Sequence, residues 1–171
     1  MKHALYVSLI LGLVPLQVTG LNYAAIVGIR PDLILIATFL IGFLCGEIEG
    51  LLMGLLLGCV QDLFSAGSLW VNLITKGMIG IVAGLLGRHL ANATPVTVCA
   101  FVFVMSVLAG STGAAWIRVE DDFTGVWHVI QSVVLPQALF DATVGAMIYW
   151  IMPGRRRRDA EFRDEMALFG R

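Results

Sequence analysis

The chain has 171 residues, 58% of them hydrophobic and 13% charged, with a mean hydropathy of +0.89. Soluble domains carry roughly a quarter charged residues, so the composition excludes an ordinary water-soluble domain and favours a membrane protein. The net charge of −1 comes without a basic patch interleaved with aromatics, so no nucleic-acid partner is expected.

A membrane-spanning helix needs about 20 mostly apolar residues. Six stretches qualify: 4–21, 30–45, 48–63, 69–87, 95–117 and 127–152. The expected fold is therefore all-α, a polytopic integral membrane bundle of six transmembrane helices. It occupies 1–154, and 155–171 form a short basic cytoplasmic tail.

The first stretch also reads as a signal peptide, with Lys2 ahead of an apolar core. No small-x-small cleavage site follows, and Pro15 and Gln17 interrupt its end, so a retained span is expected. The second stretch opens on Arg30-Pro31-Asp32. Proline is tolerated in a first helical turn and an aspartate suits the positive end of the helix dipole, so this is a helix start. Only Gly46-Glu47-Ile48-Glu49 separates the second stretch from the third. One long bent helix is excluded, because it would exceed a single span and leave two glutamates in hydrocarbon.

The third stretch carries Gly50, Gly54, Gly58 and Asp62 at i+4 spacing, and the fourth carries Asn72, Lys76, Gly80 and Gly84. Each set lies on one helical stripe, and small residues let helix backbones approach closely in lipid. A tight hairpin with its charges turned inward is expected. Asp62 falls near the outer end of its helix and Lys76 about 10 Å deep in the next. A lysine stem can snorkel upward, which brings an Asp62–Lys76 pair within reach, with Asn72 as a neighbour. The pair reads either as a device fixing the hairpin or as a proton or substrate site.

The sixth stretch repeats the pattern with Gln137, Asp141, Gly145 and Tyr149, following Pro136. Asp141 sits near the middle of the span, where an ionisable residue should face the bundle or a wet cavity. It reads either as an interhelical contact or as part of a pocket lined by the third, fourth and sixth helices.

Lysine and arginine in short loops set orientation. One side holds Lys2, Arg88, the run Arg155, Arg156, Arg157, Arg158, and Arg163 and Arg171; the other holds Arg30 and Arg118 beside four acids. Both termini are expected in the cytoplasm. Trp70, Trp116 and Trp127 at outer ends and Trp150 at the inner end agree. In the tail, Phe162, Met166 and Phe169 would form one apolar stripe of a helix lying on anionic lipid, beside the arginine run. A disordered topogenic tail fits equally well.

Cys45, Cys59 and Cys99 lie singly in apolar runs, and His3, His89 and His128 do not converge. No disulfide framework, metal site, nucleophile triad or nucleotide-binding glycine loop is indicated. Neither enzymatic activity nor a cofactor is expected.

At Arg30-Pro31-Asp32-Leu33-Ile34-Leu35-Ile36 and across Gly50 to Asn72, especially 58–69 (Gly-Cys-Val-Gln-Asp-Leu-Phe-Ser-Ala-Gly-Ser-Leu), the chain resembles the rod shape-determining protein MreD family. Layout matches over essentially the whole chain, and motif over about forty residues. Lys76 and Asp141 do not map onto a family pattern. The resemblance implies a bacterial inner-membrane protein that works without catalysis. It would bind MreC and support the cell-wall elongation synthase, RodA with a class B penicillin-binding protein, with MreB filaments in the same machinery. MreD-like proteins are also similar in fold to the substrate-binding subunits of energy-coupling-factor vitamin transporters. That similarity implies a rival reading, with Asp62, Asn72, Lys76, Gln137 and Asp141 lining a vitamin pocket.

Overall fold

The computed structural model describes Gly12, Gln17 and residues 30–64, 70–90, 93–117 and 124–152. Most of the expected first span and the Arg155–Arg158 tail lie outside the described residues. The described chain is helical: α1 (Leu33–Cys45), α2 (Glu47–Phe64), α3 (Val71–His89), α4 (Pro95–Ile117), α5 (Thr124–Val129) and α6 (Leu135–Ile151), with a π turn (Ile130–Val134) joining the last two.

Three of these helical segments are long and apolar enough to cross a membrane: Val71–His89, Pro95–Ala115 and Trp127–Ile151. The expectation of six spans goes further than this. α1 has 13 residues, so it is about 20 Å long against a hydrocarbon core of about 30 Å. α2 is long enough but carries Glu47, Glu49 and Asp62.

Helix α1 starts where Asp32 accepts a hydrogen bond from the Leu35 N–H at 3.0 Å. It ends at Gly46, whose φ of +111° is open to glycine and strained for other residues. The chain turns there and α2 begins at the next residue, with Glu47 and Glu49 in its first turn suiting the helix dipole. Helix α3 closes on Arg88 and His89, and Arg88 meets Glu47 at 3.0 Å, tying the ends of α2 and α3. Both side chains are partly exposed, so the pair contributes at most about 1 kcal/mol.

Helix α1 is the centre of the bundle. Ile34, Leu35, Ile36, Phe39 and Phe43 are all fully buried, and α1 packs on α2, α3, α4 and α6. Phe39 stacks on Phe43, which meets the Tyr149 ring edge-on, and the Tyr149 hydroxyl donates to the Ala93 carbonyl at 3.2 Å.

Helices α2 and α3 form the most extensive packed pair, and glycine sets their separation. A methyl group on Gly50 would overlap the Gly80 carbonyl, one on Gly54 the Lys76 carbonyl, and one on Gly58 would lie 2.5 Å from the Asn72 carbonyl. Gly84 meets the Glu47 backbone in the same way, and Gly42 brings α1 against Gly80. The three helices thus touch backbone to backbone.

Near the other end of the chain, Leu135 N–H donates to the Ile130 carbonyl, five residues back. Pro136 has no N–H to give, and the widened turn just before it absorbs that loss.

Gly54→Ala and Gly80→Ala should each destabilise the purified protein by roughly 1–3 kcal/mol, because backbone blocks the added methyl on the facing helix. Gly113→Ala, with open space around it, should leave the thermal midpoint unchanged within about 0.5 kcal/mol. Thr38 is fully buried and its Oγ1 has no hydrogen-bond partner. Thr38→Val should therefore raise the midpoint, by the equivalent of about 1 kcal/mol.

Candidate functional site

The register of the α2–α3 pair decides where the polar residues meet. Gly54 faces Lys76 and Gly58 faces Asn72. Asp62, one turn beyond Gly58, therefore overshoots the start of α3 at Val71, and its carboxylate turns onto the exposed N–H groups there. It accepts from the backbone of Trp70 at 3.0 Å, Asn72 at 3.2 Å and Leu73 at 3.0 Å, and from the Asn72 side chain at 2.8 Å. Asp62 is a cap for the next helix, 4% exposed, and it holds Trp70 at a φ of +92° that a bulky residue seldom adopts.

Lys76 is not its partner. It stands opposite Gly54, eight residues or about 12 Å along α2 from Asp62. The Lys76 ammonium instead pairs with Asp32 at the start of α1, at 2.9 Å from Oδ2 and 3.3 Å from Oδ1, and also donates to the Gln61 side-chain carbonyl. The expected Asp62–Lys76 pair is thus replaced by Asp32–Lys76. The Asp62 carboxylate is taken up by the N–H groups at the start of α3, and the Lys76 ammonium meets Asp32 and Gln61.

Asp32 is the hub of a larger network. Its carboxylate accepts from the Gln17 amide at 2.9 Å, while the Gln17 carbonyl accepts from the Ile34 N–H at 3.0 Å. Its own backbone N–H donates to Asp141 Oδ1 at 2.7 Å, and the Ser106 hydroxyl donates to Asp141 Oδ2 at 2.5 Å. Lys76 is 1% exposed and Asp141 is fully buried. From Asp141 to the end of α6 is ten residues, about 15 Å, and from Lys76 to the end of α3 thirteen, about 20 Å. The network is buried between apolar helices, where unpaired charge is costly.

A cavity of about 190 Å³ opens beside the network. Asp32, Asn72, Thr75, Lys76, Ser106 and Gln137 supply its polar wall; Leu35, Ala109, Gly110, Gly113 and Val134 supply the apolar one. Of the residues singled out in the sequence, Asn72, Lys76 and Gln137 share this cavity. Asp141 lies behind its wall, and Asp62 belongs to the neighbouring cap. Gly50, Gly54, Gly58, Gly80 and Gly84 lie at the helix contacts below.

Sequence reasoning missed Asp32, Gln17, Gln61 and Ser106 as members of the site. Asp32 does cap its helix, as its position suggests, but it also neutralises Lys76. Charge counting was the available signal: a lysine deep in hydrocarbon requires an acid at its own depth. Asp62 is the nearer acid in sequence, but its oxygens are occupied by the start of α3.

Removing one member of a buried pair strands the other. Asp32→Ala and Lys76→Met should each cost roughly 3–5 kcal/mol, and the double variant should recover a large part of that, with a coupling of about 1–3 kcal/mol in a thermal-unfolding cycle. Asp62→Ala should cost about 1–2 kcal/mol as a lost cap and add independently to Lys76→Met. Coupling between Asp62 and Lys76 in place of Asp32 and Lys76 would overturn this assignment.

No known family, curated protein or solved structure matches the chain, so its functional reading rests on the residues described above.

Proposed function

We propose that the chain is a non-enzymatic membrane scaffold of the MreD kind, working in the bacterial cell-wall elongation machinery. In this reading it spans the inner membrane six times with both termini in the cytoplasm. It binds MreC and through it supports RodA and a class B penicillin-binding protein, with MreB filaments linked indirectly. Membrane lipids cover the remaining apolar faces.

The observation that carries the reading is the use made of the acids in the two segments of resemblance. Asp32 bonds to Lys76, Gln17 and Leu35, and Asp62 makes four bonds to the start of α3. Both hold helices in place and neither is directed at a reacting group. A scaffold needs this rigidity, because a partner helix can read only a surface that stays fixed.

The cavity favours the second reading, a substrate-binding subunit of an energy-coupling-factor vitamin transporter, through its polar wall of Asn72, Lys76 and Gln137. Its size favours the first. Pockets for drug-sized ligands run from roughly 300 to 1,000 Å³, and this one is about 190 Å³.

Co-expressed with MreC and purified in mild detergent, the protein should emerge as a stable complex, with no vitamin detectable by mass spectrometry. A stoichiometric vitamin in protein purified without MreC, together with no MreC complex, would reverse the order of the two readings.

A further inference from the structure

The cavity beside the network is electrically balanced by its own wall. Lys76 brings the positive charge of the lining and Asp32 the negative one, and the two are paired at 2.9 Å. Asp141 lies behind the wall, held by the Ser106 hydroxyl and the Asp32 backbone N–H. An ion of either sign would enter this space without a counter-charge, so the chemistry that fits it is uncharged.

The wall still keeps polar groups in reserve. Among the described residues, the Thr75 hydroxyl and the Gln137 side-chain amide line the cavity without a hydrogen bond. The Asn72 amide nitrogen donates to Asp62, which leaves its carbonyl oxygen as the open end. These groups mix donors and acceptors, and hydroxyl groups suit such a mixture because each is both at once. The rest of the wall is apolar, with Leu35 and Val134, and it is hollow at Gly113, where a methyl group would meet nothing within 4 Å. Water against that part is poorly bonded, so replacing it with a carbon chain is favourable. An apolar cavity of about 150 Å³ takes up one benzene molecule. At about 190 Å³ this one has room for a short chain the size of glycerol or erythritol.

We propose that this cavity binds one small uncharged polyol, with its hydroxyl groups on Asn72, Thr75 and Gln137 and its carbon chain against Leu35 and Val134. The site goes beyond the scaffold reading and does not rest on it.

Thermal unfolding of the purified full-length protein in detergent tests it, with glycerol or erythritol titrated in. Sorbitol, too large for the cavity, is the comparator. Polyols stabilise proteins generally by exclusion from their surface, and that effect rises steadily with concentration for all three. Glycerol or erythritol should add a saturable rise above it, about 3–6 °C at ten times its Kd. Gly113→Leu fills the cavity and should abolish the saturable part while keeping the general one. Thr75→Val and Gln137→Leu should each raise the Kd about threefold to tenfold. Met147→Ala, on the exposed face of α6, should leave it unchanged. Should Gly113→Leu fail to fold, the Thr75 and Gln137 variants decide. No saturable part above the sorbitol curve, or an unchanged Kd in the cavity variants, would overturn the proposal.

Discussion

A lysine buried among apolar helices must be neutralised where it lies, and the arrangement of this bundle follows from how Lys76 meets that requirement. Its ammonium lies 2.9 Å from Asp32. Asp32 also starts α1, so satisfying the charge ties the beginning of this short helix to α3. From there, the remaining contacts are determined in turn. The backbone N–H of Asp32 reaches Asp141 on α6, and its carboxylate holds Gln17 from the first apolar stretch. Ser106 on α4 then completes the coordination of Asp141. Helices widely separated in sequence are joined through one residue.

The glycine contacts act in a complementary way. Apolar side chains alone give little preference for one helix neighbour over lipid, so close backbone packing and polar bonds must supply specificity. Between α2 and α3 the glycines permit one register, and that register sends Asp62 to the start of α3 and leaves Lys76 free to reach across to α1. Packing and electrostatics therefore select the same arrangement, which is the agreement between levels expected of a sequence that specifies one fold.

These features belong to a molecule built to be stiff around a small polar interior. At about 190 Å³ the cavity is smaller than typical pockets for drug-sized ligands, and its wall is partly polar. The π turn before Pro136 precedes the segment on which Gln137 and Asp141 enter the site.

Much of this was legible in the sequence. The helical class, the helix limits near 45–47 and 64–71, the small-residue stripes and the polarity of Asp62, Lys76, Gln137 and Asp141 all follow from local composition and spacing. Asp32 could be recognised as a helix start, because capping is a local property. Its partnership with Lys76 could not, since the two are 44 residues apart and several acids compete for one lysine. Spacing along one helix determines which residues share a face, but not how far that helix slides against its neighbour. That offset was decided only in three dimensions, where glycine contacts fixed the register and thereby which groups each charge could reach. The sequence alone thus determined that Asp62, Lys76 and Asp141 would be costly to bury, and the tertiary structure alone decided which groups would partner them.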